Sequence, residues 1–255
     1  MEKPLVSVNI CTHNRKDLIS KSIKSVFEQD YQNIEIIISD NGDDETEKLI
    51  SSIISENPNW SSKIHYFKND TKGISENRNF ALEKSSGKYI AVLDSDDYWI
   101  LPEKISRQIE FLEENTDYVM IGTNADIVNS KDEKIGEIKN HTLHEKIIYN
   151  FLLKNQFVHS SVVFKKKALK EYNESLFIWE DYEAFLKISR ENKVANLPQQ
   201  MTAYKKHSGN ISRSKKMKGV LTLRKIIKKN KEHYPNYFKA RFKNIIRLTK
   251  AVLSI

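Results

Sequence analysis

The feature that most constrains this chain is a change of period that recurs through its first hundred residues. Short runs of β-branched and other apolar residues alternate with stretches whose apolar side chains return every three or four positions. Residues 5–11 read as a buried strand, and Ile19, Ile23, Val26 and Phe27 then share one helical face. A second strand covers 34–39, a helix carries Leu49, Ile50, Ile53 and Ile54, and a third strand covers 64–67. Gly73 precedes a helix with Phe80, Ala81 and Leu82 inside, and 89–93 form a fourth strand. Parallel strands need long crossovers, usually helical, so this order predicts an α/β fold with a mostly parallel central sheet flanked by helices.

Beyond Pro102 the pattern loosens. Ile105, Ile109 and Leu112 predict a helix, 118–122 a strand, and 124–138 a hairpin turning at Ser130-Lys131-Asp132. Residues 143–153 and 180–191 read as helices and 160–164 as extended. No composition shift marks a boundary before about residue 213. The expected organisation is one α/β body over 1–213, in two halves (1–100 and 101–213), with a helical extension over 214–255.

Charge sets that extension apart. Residues 205–255 hold 16 Lys and Arg against one acid, Glu232, whereas the body before them is mildly acidic. Two basic helices are expected, the second starting near Pro235. There Phe238, Phe242, Ile245, Thr249 and Val252 fall at 4-3-4-3 spacing among Lys239, Arg241, Lys243, Arg247 and Lys250. Such a tail is expected either to meet an anionic membrane surface or to pack its Phe242/Ile245 stripe on the body under solvated lysines. No helix-turn-helix, zinc-finger or RNP pattern accompanies the charge, so a nucleic-acid partner is not expected. Cys11 is the sole cysteine, which excludes an intrachain disulfide and fits a reducing, cytoplasmic setting. A signal peptide is not expected at the amino terminus, and no apolar run is long enough to span a bilayer.

In a parallel sheet, ligands bind beyond the carboxyl ends of the strands. Thr12-His13-Asn14-Arg15 follows the first strand, Ser39-Asp40-Asn41-Gly42 the second, and Asp94-Ser95-Asp96-Asp97 the fourth. Neither G-x-G-x-x-G nor G-x-x-x-x-G-K-[ST] occurs, which argues against a dinucleotide dehydrogenase or a P-loop enzyme. Three carboxylates within four residues repel one another unless cations neutralise them, and oxygen ligands of this kind suit Mg²⁺ or Mn²⁺ beside substrate phosphates.

With these segments in view, the chain resembles a family-2 glycosyltransferase of the GT-A fold, whose sheet is Rossmann-like. The resemblance rests on Val6–Arg15, Ile36–Gly42, Gly73-Ile74-Ser75-Glu76-Asn77-Arg78-Asn79, Leu93–Asp97, Trp179-Glu180-Asp181 and His207-Ser208-Gly209-Asn210-Ile211-Ser212, which occur in the family's order. It implies a metal-dependent, inverting transfer of a sugar from a nucleoside-diphosphate sugar, with UDP the expected nucleotide. The acceptor would be a hydroxyl of a glycan or lipid-linked molecule, in surface polysaccharide or glycolipid assembly. Residues 1–100 would then be the nucleotide-binding half and 101–213 the acceptor half.

Position by position, the resemblance implies that Thr12 and Asn14 line the nucleotide pocket and Asp40 accepts a hydrogen bond from the base. Arg78 would lie against the nucleotide and diphosphate. Asp94 would sit near the ribose, with Ser95 beside it among the nucleotide-sugar contacts. Asp96 would hold Mn²⁺ or Mg²⁺, His207 would approach the metal or the leaving diphosphate, and Asp181 would be the base. Ser39-Asp40-Asn41-Gly42-Asp43 departs from the family's commoner Asp-x-Gly-Ser, leaving that loop's contacts open. From the residues alone, Asp40 equally suits an Asx-turn with Gly42, and Glu180-Asp181 equally suits the first turn of a helix. A sugar-nucleotide nucleotidyltransferase and a non-catalytic nucleotide-sugar-binding protein are the competing classes.

Overall fold

The computed structural model describes residues 3–207 and 216–253. In chain order its elements are β1 (Val6–Thr12), α1 (Lys16–Phe27), β2 (Ile34–Asp40), α2 (Thr46–Glu56), β3 (Ile64–Lys68), α3 (Ile74–Lys84), β4 (Tyr89–Val92), β5 (Tyr98–Trp99) and α4 (Lys104–Glu114). Then follow β6 (Tyr118–Val128), β7 (Lys134–Ile138), α5 (His144–Asn150), β8 (Val163–Lys165), α6 (Glu180–Glu191), β9 (Lys193–Lys205), α7 (Lys216–Lys229) and α8 (Tyr237–Leu253).

One sheet runs in the order β3-β2-β1-β4-β8-β6-β9-β5, with β7 beside β6. The parallel pairing expected from the first hundred residues holds from β3 to β4. Past β4 the sheet becomes mixed: β8 is antiparallel to both β4 and β6, while β9 runs parallel to β6. The expected hairpin is β6–β7. Strand β9 was not expected at all, because Pro198-Gln199-Gln200 interrupts any alternation. The register against β6 shifts at Thr123–Ala125, where the chain accommodates that interruption.

Each face of the sheet carries its own core. On β4 and just after it, Tyr89, Ala91 and Leu93 point to the side covered by α1, α2 and α4, while Ile90 and Val92 point to the side of α3, α5 and α6. On α1 the buried Ile19, Ile23 and Val26 bear out the helical spacing; burying each is worth about 1.5–3 kcal/mol. On the other face Phe151 packs edge-on against Tyr182 and Tyr234. Leu223, Ile226, Ile227 and Ala240 join that same core, so α7 and α8 are seated on the body.

The stripe on α8 is not what seats it. Ala240, Asn244 and Ala251 are buried, whereas Phe242 is 66% and Ile245 48% exposed. Of the two alternatives for this tail, the one that packs Phe242 and Ile245 on the body is therefore overturned. The short side chains on the opposite face let α8 approach closely, and Asn244 donates to the Val220 carbonyl at 3.3 Å. No helix among the described residues is long and apolar enough to cross a membrane.

Lys104 is fully buried at the start of α4, 4.2 Å from the centre of the Trp99 ring, and donates to Gln108 Oε1 at 2.7 Å. Burial pushes its ammonium well below the usual 10.5. The unfolded chain thus takes up a proton that the folded chain resists, a penalty present at neutral pH that lifts as pH rises toward 10.5. Wild type should gain stability relative to Lys104→Met between pH 7 and about pH 10, measured by urea denaturation. A difference independent of pH would contradict this account.

Candidate active site

The carboxyl ends of β1, β2 and β4 meet at one rim, with Thr12 directly opposite Asp40 in the parallel register. Asn77 on α3 ties this rim together. Its Nδ2 donates to the carbonyls of Thr12 and Ser39 at 3.2 and 3.1 Å, and its Oδ1 accepts from the Ser39 hydroxyl. Thr12 is 2% exposed, and its buried Oγ1 has no hydrogen-bond partner among the described residues.

Asp40 forms the Asx-turn that its spacing to Gly42 allowed. It is fully buried; its Oδ1 accepts from the Gly42 N–H at 2.8 Å, and its Oδ2 accepts from the Tyr66 hydroxyl at 2.7 Å. Lys68 lies 3.4 Å from the same Oδ2 and also bonds the Gly42 carbonyl. Asn14 is exposed, in the left-handed region at φ 53°, and its Oδ1 accepts from the Asp43 N–H. A β-carbon on Gly42 would stand 2.4 Å from that Oδ1 and 2.5 Å from the Asn14 nitrogen, so the two loops meet only through glycine.

The Asp94–Asp97 turn gives each of its three carboxylates a different partner. Asp94 accepts from Arg78 Nη2 at 2.9 Å and lies 3.1 and 3.2 Å from His159 Nδ1, which donates to it. Its enclosure opposes the charge, but His159 and the Arg78 guanidinium outweigh that and hold its carboxyl well below the usual range. Asp96 Oδ2 stands 2.6 Å from Arg15 Nη1 and 2.8 Å from His207 Nε2. Asp97 turns inward, 2% exposed, accepting from the Lys205 N–H at 2.8 Å and from the Ser160 hydroxyl. Burial pushes Asp97 well above the carboxylate range, with the charges of Asp96 and Asp94 adding to it. Ser95, expected among the donor contacts, is 2% exposed.

The Arg78 side chain, implied to lie against the nucleotide and diphosphate, is 7% exposed and bridges Asp94 and Glu180. Burial works against this cation, but Asp94 and Glu180 outweigh it and keep it protonated. Glu180, 5% exposed, is pushed up by burial while Arg78 pulls it back. The bridge brings the start of α6 to the end of β4. Asp181, next to Glu180 in that first turn, is half-buried and accepts from Asn155 Nδ2 at 3.3 Å. The acids Glu180, Asp181 and Glu183 suit the positive end of the helix, so the helix-start reading of Glu180-Asp181 holds.

His207 is delivered by β9. That strand pairs with β5, which directly follows the acidic turn, so its end returns to Asp96. Residues 208–212 of the His207 segment, and the expected boundary at 213/214, lie outside the described residues. Sequence reasoning gave no role to Arg15, His159 or Ser160. Arg15 alone carried a signal, its position beyond the end of β1. His159 and Ser160 sit in a 3-10 turn, His159–Ser161, with no local pattern. The lone Cys11 thiol is pushed up to about 12 by desolvation, so it is not poised as a nucleophile.

The cavity of about 1110 Å³ lined by Lys88, Glu113, Lys165 and Lys166 lies at the opposite end of β4 from this rim. No group of three or more His, Cys, Asp or Glu side chains suited to a metal gathers among the described residues. Asp96 and His207 converge as one oxygen and one nitrogen donor, a protein share that fits Mn²⁺ or Mg²⁺ completed by diphosphate oxygens.

Residues 7–172 match the model of Glycosyl transferase family 2. The chain belongs to this family. An Escherichia coli relative, the UDP-Glc:alpha-D-GlcNAc-diphosphoundecaprenol beta-1,3-glucosyltransferase WfaP, is 35% identical over 215 residues, covering 83% of this chain and 81% of its own. The fold matches Staphylococcus aureus TarS 1–349 in complex with UDP-GlcNAc at TM-score 0.69 and 18% identity, over 92% of this chain and 69% of that one. It also matches the Pyrobaculum calidifontis mannosyltransferase PcManGT, in complex with GDP-Man and Mn²⁺, at TM-score 0.70 and 15% identity, over all of this chain and 77% of that one. This family-2 glycosyltransferase therefore has the GT-A-type fold expected of it.

Removing one partner of a buried ion pair strands the other charge. Arg78→Met should cost about 3–5 kcal/mol in chemical denaturation. Adding Glu180→Gln to Arg78→Met should recover part of that loss; a double variant no more stable than the single would refute the bridge.

Proposed function

We propose that this family-2 glycosyltransferase moves a sugar, with inversion, from a UDP-sugar to a hydroxyl of a lipid-diphosphate-linked acceptor in surface polysaccharide or glycolipid assembly. The work is done at the cytoplasmic face of the membrane. The Arg78 bridge carries this reading: it sets the first turn of α6, with Asp181, beside the acidic rim at the end of β4. Uridine as the base is supported by the UDP-sugars named for WfaP and TarS, and the lipid-linked acceptor by the name of WfaP.

The chemistry follows from charge. Asp181 takes the proton from the acceptor hydroxyl, whose oxygen attacks the anomeric carbon on the face opposite the diphosphate. The bond from that carbon to the diphosphate oxygen breaks, and the leaving group departs with the electron pair. Asp96 and His207 would hold Mn²⁺ or Mg²⁺, which when bound neutralises charge on the departing diphosphate; PcManGT with GDP-Man and Mn²⁺ supports that cofactor. Arg15, already against Asp96, adds positive charge at the same place. Asp94, held ionised by Arg78 and His159, presents an acceptor for sugar or ribose hydroxyls. Thr12 and Asn14 line the nucleotide pocket, and Thr12 offers it an unspent hydroxyl. Asp40 reaches the base if ligand binding frees it from Gly42 or Tyr66.

Asp181→Asn should lower the transfer rate about 10²–10⁴-fold while leaving UDP binding intact; a near-wild-type rate would remove Asp181 as the base. UDP at 100 times its Kd should stabilise the wild type by about 2.7 kcal/mol in thermal shift, and only with Mn²⁺ or Mg²⁺ present. Asp96→Asn should abolish that metal requirement together with most of the shift. Stabilisation by a nucleoside triphosphate in place of UDP would point instead to a nucleotidyltransferase.

A further inference from the structure

The outward face of α8 is left largely uncovered among the described residues, and its arrangement is more specific than a basic tail. At about 100° per residue, Ala240, Asn244 and Ala251 fall within about 40° of one another and form the face seated on α7 and the body. Phe238, Phe242, Ile245, Ile246, Val252 and Leu253 fall in an arc of about 120° on the other side. Their exposures are 81%, 66%, 48%, 41%, 55% and 81%. Two phenylalanines and four aliphatic side chains thus stand largely in water on the face that the body does not cover.

The polar residues around that arc are ordered too. Arg241 lies along one edge, and Lys239, Lys243 and Lys250 lie along the other; α8 contains no acid. Within the arc the one polar residue, Thr249, turns its hydroxyl back to the Ile245 carbonyl at 3.2 Å, so it needs no water partner. An apolar strip with long cationic side chains on both borders matches an interfacial helix lying flat on a bilayer. The rings and aliphatic groups enter the acyl boundary while lysine and arginine stems reach up to the headgroups.

We propose that this face of α8 is a membrane-docking surface, inserting Phe238, Phe242 and their apolar neighbours into a bilayer whose anionic headgroups pair with Lys239, Arg241, Lys243 and Lys250. Charge decides for lipid over a second copy of the chain. Two α8 faces laid together would bring their cationic borders against each other with no acid to neutralise them, whereas anionic headgroups complement them. The surface is formed by α8, and none of its residues belongs to the candidate site. It rests on the proposed function only in that a lipid-linked acceptor gives the docking a purpose.

The test uses the full chain and co-sedimentation with vesicles of phosphatidylglycerol and phosphatidylethanolamine, against vesicles of phosphatidylcholine alone. Wild type should pellet with the anionic vesicles and remain in solution with the neutral ones. Phe238→Ser/Phe242→Ser changes two exposed side chains, so its circular dichroism and UDP thermal shift should match wild type while its vesicle affinity falls tenfold or more. Lys239→Gln/Lys243→Gln/Lys250→Gln should weaken binding by at least about tenfold at low salt. Equal and negligible pelleting of wild type with both vesicles would overturn the proposal, as would wild-type binding by the phenylalanine variant. A lipid-free dimer in sedimentation velocity, abolished by Phe238→Ser/Phe242→Ser, would assign the face to a second copy. An unchanged UDP shift alongside any of these results separates failure of docking from failure of the enzymatic reading.

Discussion

A guanidinium cannot leave water without anions to receive it, and Arg78 has left water. Its two receivers come from different parts of the chain, Asp94 at the end of β4 and Glu180 at the start of α6. One buried cation therefore fixes three elements, α3, β4 and α6, at a common point. The segment between β8 and α6 is drawn in with them: the Tyr172 ring lies 5.7 Å from the guanidinium, and Asn79 holds the Tyr172 backbone from both sides. Removing Arg78 would strand Glu180, leave Asp94 with His159 alone and let the start of α6 drift from the rim.

The same constraint explains how three aspartates coexist in four residues. Asp94 faces Arg78 and His159, Asp96 faces Arg15 and His207, and Asp97 is folded away under the end of β9. Asp94 and Asp96 have separate cationic partners in Arg78 and Arg15, and the remaining repulsion falls on Asp97, whose carboxyl is pushed up by burial and by its two neighbours. Asp94 and Asp96 each stand beside an imidazole nitrogen, of His159 and His207 respectively, and Asp97 anchors the turn that carries them.

The carboxyl-terminal helices divide their labour by side-chain size. Small residues on α8 face the body and permit close approach, and Tyr234 with aliphatics from α7 fills the core beside α6. The large apolar residues are left outside. Spacing showed that α8 is amphipathic but could not tell which face meets the protein, since a helix offers the same stripe whichever way it is rolled.

Local periodicity made β1 to β4 and their helices legible, because a strand buried on both faces or a helix buried on one writes its period into consecutive residues. The residues at the strand ends could be read by the same token: once β1, β2 and β4 are placed, Thr12, Asp40 and Asp94 must fall at one rim. Strand β9 was not legible, because its pairing with β6 and β5 tolerates Pro198 and two glutamines that no alternation predicts. With β9 went the route that brings His207 to Asp96.

The sequence by itself determined the α/β class, the family and the set of acids at the rim. Tertiary structure alone decided what each acid faces. The partners arrive from 81 residues away for Arg15 and Asp96, 102 for Arg78 and Glu180, and 111 for His207 and Asp96. Local order in a chain follows from near neighbours, but the field at a buried carboxylate is set by whatever folding brings beside it.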